Sequence, residues 1–186
     1  MKSIILASQS PRRKQLLEWA EIKFSIVVAN TKEQIPTDIP LTEVPIFIAR
    51  EKAQVVQEKT NKASIIIAAD TIVILENEIL GKPKDRVEAI NFLTKLSNKT
   101  HQVITGVVLL KSDKEIAFAE TTLVEFHGLT LEQIEFYVDE YRPYDKAGAY
   151  AIQEWIGVVG IKKVVGDFYN VMGLPISRVV QELDKF

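Results

Sequence analysis

Asp70 is a lone carboxylate inside one of the most apolar stretches of the chain, Ile65-Ile66-Ile67-Ala68-Ala69-Asp70-Thr71-Ile72-Val73-Ile74-Leu75. The stretch reads as a buried strand rich in β-branched residues, and Asp is rarely buried without a partner. Alternation puts Asp70 on the strand face of Ile66, Ala68, Ile72 and Ile74, so the carboxylate either enters a core at a desolvation cost or opens into a cleft. An Asp paired with an Arg, or capping a loop, accounts for the same pattern. Cations are the natural complement. In Leu6-Ala7-Ser8-Gln9-Ser10-Pro11-Arg12-Arg13 a strand runs directly into a helix start, whose outward N–H groups and dipole make an anion site. Arg12 and Arg13 fall in that first turn, where cations are disfavoured unless an anion is supplied. The pair therefore suggests a bound phosphate, with ordinary surface arginines as the alternative.

Further cations lie in two other segments. On a helix containing Ile48-Ala49-Arg50-Glu51-Lys52-Ala53, Lys52 sits near the middle of the apolar arc of Ile48, Ala49, Ala53, Val55 and Val56, so it either meets a partner or snorkels. Lys82, in Gly81-Lys82-Pro83-Lys84, is a weaker signal. Loop lysines are usually solvated, although the flanking Gly and Pro imply a fixed backbone. Pro143 to Gln153 contains Ala147-Gly148-Ala149, small enough for close backbone approach to a ligand, and Gln153 could read a base through its paired donor and acceptor. Gly166 to Pro175 is a glycine-bounded turn that either contacts a substrate or packs Phe168 and Tyr169. His101 and His127 have no partner at metal-ligand spacing and read as structural or solvated imidazoles.

The elements that must hold these residues alternate between strand and helix, which predicts an α/β layered fold. A strand is expected over 3–7, then a helix capped by Ser10, with Pro11 at its first position, running to about Ala20. Next come a strand over 23–29, a polar segment from Thr31 to Pro40 and a helix from about Glu43 to Lys59. The Asp70 strand follows, with a turn at Glu76-Asn77-Glu78 and a loop at Gly81-Lys82-Pro83. Asp85 caps a helix to about Ser97. Residues 102–110 and 116–126 form a hairpin, and Thr130-Leu131-Glu132-Gln133 is a capping box opening a helix to about Tyr141. The loop from Arg142 to Gln153 leads into a short extended piece, and Pro175 begins the last helix.

Composition narrows the function classes. The 186 residues suit one domain or one domain with two lobes, and 47% hydrophobic with 26% charged residues is ordinary for a globular chain. Lys plus Arg number 23 against 25 Asp plus Glu, a net charge of -2, so there is no overall basic field to gather nucleic acid. Cysteine is absent, which removes disulfides, thiolate metal sites and thiol catalysis. The apolar N-terminal run is too short for a signal peptide and no run of about 18 apolar residues occurs, so a cytoplasmic location is expected and no membrane partner.

Taken in order and spacing, these motifs resemble the Maf, or septum formation inhibitor, family of nucleoside triphosphate pyrophosphatases. The resemblance is carried by Leu6 to Arg13, Arg50-Glu51-Lys52-Ala53, Ala68 to Val73, Gly81-Lys82-Pro83, Thr105-Gly106-Val107, Asp145 to Tyr150 and Gly166 to Pro175. It implies a two-lobed α/β fold similar to inosine triphosphate pyrophosphatases, with a twisted mixed sheet flanked by helices and a deep active-site cleft, all within one domain over 1–186. It implies hydrolysis between the α and β phosphates to a nucleoside monophosphate and pyrophosphate, with Mg²⁺ or Mn²⁺ as cofactor. Asp70 matches the family's general base, and Ser8, Arg12, Arg13, Lys52 and Lys82 match its polar and phosphate-binding positions. Glu33 matches an acidic residue that, with Asp70, serves the metal. Arg12, Thr71 and Gln153 match the dTTP/UTP-preferring branch. The implied partner is the nucleoside triphosphate, with no nucleic acid, and a homodimer is one permitted assembly. Arg142-Pro143 departs from the pattern, because the family has Glu before that Pro and the local charge is reversed. The rival class is a nucleotide-binding regulator of cell division without turnover.

Overall fold

The computed structural model describes residues 3–28, 31 and 39–186. The chain begins with β1 (Ile4–Leu6), α1 (Pro11–Trp19), β2 (Ser25–Ile26), α2 (Val44–Glu58), β3 (Ile65–Leu75), β4 (Glu78–Leu80) and α3 (Arg86–Leu96). It continues with β5 (Thr100–Lys111), β6 (Lys114–Phe126), α4 (Leu131–Tyr141), α5 (Trp155–Gly160), β7 (Ile161–Val165), α6 (Phe168–Met172) and α7 (Ile176–Leu183). Among the described residues the strands form one seven-stranded sheet in the order β2-β1-β3-β5-β6-β7, with β4 paired to β3. The sheet is mixed, since β1 runs parallel to β2 and β3, whereas β3–β4 and β6–β7 are antiparallel.

Local chemistry explains most boundaries. The Ser10 hydroxyl accepts from the Arg13 amide, the Asp85 carboxylate from the Glu88 amide, and Thr130 exchanges both bonds of a capping box with Gln133. Each satisfies N–H groups that the first helical turn leaves open. The departure at Arg142 has a backbone role: it ends α4 in the left-handed region, at φ 46° and ψ 62°, with its side chain exposed.

Several short elements differ from the sequence expectation. Of the strand expected over 23–29, only Ser25–Ile26 is strand among the described residues, and the loop expected at Gly81-Lys82-Pro83 is preceded by β4. Glu76 and Asn77 both take positive φ, 49° and 69°, as a two-residue hairpin turn requires. The extended piece expected after Gln153 is the six-residue α5 followed by the edge strand β7, and the turn at 166–175 holds α6. Propensity opposes α5, because Gly157, Val158, Val159 and Gly160 are poor helix formers. Packing overrides it: a Cβ on Gly157 would lie 1.8 Å from the Ile152 carbonyl oxygen, so only glycine permits this approach.

The chain divides into two compact units, one of 1–71, 105–120 and 173–186 and the other of 72–104 and 121–172. In the first, Ala49, Ala53 and Val56 of α2 pack on Ile66 and Ala68 of β3 and on Val108 of β5. In the second, Leu93 and Leu96 of α3 and Tyr137 and Val138 of α4 share a core with Val73, Phe126 and Tyr150.

His101 belongs to this second core and is 2% exposed. Its Nε2 lies 2.7 Å from the Tyr150 hydroxyl and its ring stacks on Phe126 at 5.5 Å. Burial lowers its pKa from the ordinary 6.5 to about 4, and burial also pushes the Tyr150 phenol up. The imidazole is therefore structural and neutral. As pH falls below 6.5 the unfolded chain takes up a proton that the folded chain refuses until about pH 4, so stability present above 6.5 is lost across that window. Between about pH 7 and pH 4.5, His101→Gln should lose about 2 kcal/mol less than the native chain, read from urea-unfolding midpoints.

Candidate active site

The candidate residues of the first unit fall into two groups on adjacent positions of β3. Every residue of that strand is buried except Asp70 and Thr71, which are partly open. Neighbouring side chains on a strand point to opposite faces, so the two serve different partners.

Asp70 continues the face that carries Ile66 and Ala68, against α2. Lys52 lies on the α2 face of Ala49, Ala53 and Val56, and its Nζ donates to Asp70 Oδ1 at 2.8 Å. The Lys52 and Asp70 side chains are 13% and 14% exposed. The carboxylate in an apolar strand and the lysine on an apolar helix face are thus each other's partners. The pair keeps a negative oxygen and an ammonium side by side at a partly open point. Its position depends on Gly106 of β5, where a Cβ would lie 2.3 Å from the Ile46 nitrogen and the Pro45 carbonyl carbon. The first turn of α2 therefore rests directly on the β5 backbone.

Thr71 meets Arg13. The Arg13 side chain donates from Nε to the Gly173 carbonyl at 2.8 Å, from Nη1 to Ser8 Oγ at 3.3 Å and from Nη2 to Thr71 Oγ1 at 3.0 Å. Thr71 Oγ1 also lies 2.9 Å from Thr105 Oγ1, and Thr105 is fully buried. Ser8 Oγ accepts from the Ser10 amide at 3.1 Å, which pins the loop between β1 and α1. Arg13 is 9% exposed. It binds the start of α1, β3 and the Gly173 turn together, whereas Arg12 at the preceding position is half-buried. Thr105 and the Gly173 carbonyl lie in motifs quoted from the sequence, but as partners of Thr71 and Arg13 they had no assigned role. The signal in the sequence was a hydroxyl within the apolar run Val103 to Leu110 and the glycine at 173, which the fold holds at φ 115°. Truncating this buried side chain removes three hydrogen bonds and its packing at once, so Arg13→Ala should lower stability by about 2–4 kcal/mol, measured by urea unfolding. A change confined to turnover, with stability intact, would favour the phosphate contact over the structural role.

Lys82 and Gln153 belong to the second unit and are exposed. The backbone on either side of Lys82 is held as the flanking residues suggest: the Gly81 carbonyl accepts from the Gly148 amide at 3.0 Å and Pro83 is buried. Glu33 lies outside the described residues.

No cluster of three or more His, Cys, Asp or Glu able to hold a metal occurs among the described residues. Asp70 provides one partly open carboxylate. A single carboxylate fits Mg²⁺, which keeps waters and is completed by substrate phosphates, better than it fits a metal needing a full protein cage.

The Maf-like protein family model matches residues 3–186 of the chain. The dTTP/UTP pyrophosphatase of Cytophaga hutchinsonii is 50% identical over 182 residues, covering 98% of this chain and 83% of that protein. The dTTP/UTP pyrophosphatase of Parabacteroides distasonis is 45% identical over 184 residues, covering 98% and 95%. Among solved structures, the Staphylococcus aureus Ham1 protein superposes with a TM-score of 0.51 at 18% identity over 99% of this chain and 98% of its own, a likeness of fold. With motifs, site geometry and a match across nearly its whole length in agreement, the chain belongs to the Maf-like protein family.

Proposed function

We propose that this protein hydrolyses dTTP and UTP to the nucleoside monophosphate and pyrophosphate, with Asp70 as general base. The observation that carries the reaction is the Lys52–Asp70 pair, held in a strand that is otherwise buried. A protein that only bound the triphosphate would gain from a carboxylate beside its cations only through a bridging metal ion, because the bare negative charges repel. A hydrolase gains a group that orients a water and takes its proton as the oxygen attacks the α phosphorus and the bond to the β phosphate breaks. Lys52 holds the carboxylate in place and supplies positive charge beside it. Ser8, Arg12 and Lys82 contribute phosphate contacts, and Arg13 holds Ser8 and Thr71 in position. A divalent ion, Mg²⁺ or Mn²⁺, held by Asp70 and phosphate oxygens, would neutralise charge on the polyphosphate.

The support for the base preference is that relatives 45–50% identical over 98% of the chain are named dTTP/UTP pyrophosphatases, together with Arg12, Thr71 and Gln153. A Gln amide pairs with the O4 and N3–H edge shared by thymine and uracil, while cytosine presents the reversed pattern. A mismatch that leaves polar groups unpaired costs about 1–3 kcal/mol. Measured by pyrophosphate release, kcat/KM for dTTP and UTP should exceed that for CTP and the purine triphosphates by about tenfold or more. A purine preference would overturn the assignment.

A further inference from the structure

Lys146 is the only buried lysine among the described residues, at 7% exposure, and neither the general base nor the phosphate contacts use it. Its Nζ lies 2.8 Å from Asp145 Oδ1 and 3.4 Å from Glu154 Oε1. The other Glu154 oxygen accepts from the Tyr137 hydroxyl, and the Tyr137 oxygen accepts from the Ala151 amide at 3.2 Å. Tyr137 is fully buried in α4. The network therefore ties the loop at 145–146 and helix α4 to Ala151 and Glu154, the residues on either side of Ile152 and Gln153. Ile152 is buried and pressed by Gly157, so Gln153 is the one exposed side chain of a segment fastened at both ends.

Burying an ammonium beside a carboxylate that is itself only 23% exposed is a poor way to gain stability, because desolvation offsets most of the attraction and an apolar replacement of both is often neutral. What such a pair does supply is a fixed geometry. We infer that Lys146, Glu154 and Tyr137 are positioning residues for Gln153, and so set which base the enzyme accepts. The inference rests on Gln153 as the reader of the base. A loosened segment would let the amide shift to accommodate the wrong edge and weaken its hold on the right one.

The test measures kcat/KM for dTTP and CTP, with unfolding midpoints, in the native protein, Gln153→Ala, Tyr137→Phe, and the double variant Lys146→Met with Glu154→Gln, which leaves no buried charge unpaired. Tyr137→Phe keeps the buried ring and removes only the hydroxyl. The expected result is a dTTP-to-CTP ratio about tenfold lower in Tyr137→Phe and in the double variant, with kcat for CTP within about twofold of native. An unchanged ratio in a folded variant, alongside a flattened ratio in Gln153→Ala, overturns the inference and leaves the function standing. An unchanged ratio in Gln153→Ala shows that the base is read elsewhere, which overturns both the reader and its positioning. If the double variant unfolds, Tyr137→Phe decides alone. Collapse of Tyr137→Phe as well makes the network a stability element and overturns the inference.

Discussion

Asp70→Asn should reduce pyrophosphate release from dTTP by about 10² or more while the protein stays folded. Asparagine has the same shape, and its amide oxygen can still accept from the Lys52 ammonium that lies 2.8 Å from Oδ1 in the native chain. What it lacks is the negative charge and the capacity to take a proton. Lys52 would also lose its counter-charge, and for a pair with 13–14% exposed side chains that is worth about 1–2 kcal/mol of stability. Steady-state turnover and a urea-unfolding curve on the same preparation separate the two effects. Near-native turnover from a folded Asp70→Asn protein would remove Asp70 from the chemistry.

Gly106→Ala should be the most damaging single methyl group in the first unit. The added carbon would sit 2.3 Å from the Ile46 nitrogen and the Pro45 carbonyl carbon, and 2.7 Å from the Pro45 oxygen. These are backbone atoms, so no rotamer change relieves the contact and the start of α2 must lift away. Overpacking against side chains costs about 1–3 kcal/mol, and against a helix backbone we expect about 3 kcal/mol or more. The same displacement carries Lys52 away from Asp70, so turnover should fall along with the unfolding midpoint. Gly128, where an added Cβ meets nothing within 4 Å, is the control. Gly128→Ala should stay within about 0.5 kcal/mol of native. Equal midpoints for the two variants would mean that α2 does not rest on β5 as described.

The residues themselves determined a great deal. The caps at Ser10, Asp85 and Thr130 are short-range chemistry, in which a side-chain oxygen meets an amide three residues on, so the helix starts were legible without any tertiary information. The eleven residues of β3 were legible because they form one apolar, β-branched run. The motifs also carried the family, which the match over residues 3–186 bears out. Short elements were not legible: β4 has three residues, and α5 is held by Gly157 closing on the Ile152 carbonyl rather than by its own propensities. The charges divided in the same way. The sequence marks Asp70 and Lys52 as charges on apolar faces, each in need of a partner. That they are partners of each other, 18 positions apart, depends on how α2 lies on the sheet. Arg13 makes the point from the other side, since an arginine in a helix's first turn is the same sequence signal whether it faces a ligand or the interior. Its bonds to Ser8, Thr71 and Gly173 span up to 160 positions, and the Lys146–Glu154–Tyr137 network likewise joins separate elements. The sequence determined which residue types could do the chemistry and where the regular elements begin, because those follow from neighbours along the chain. Which charge meets which, and which polar groups are spent on holding the site, was decided only by tertiary packing, because a burial penalty states that a partner is needed and only three-dimensional proximity names it.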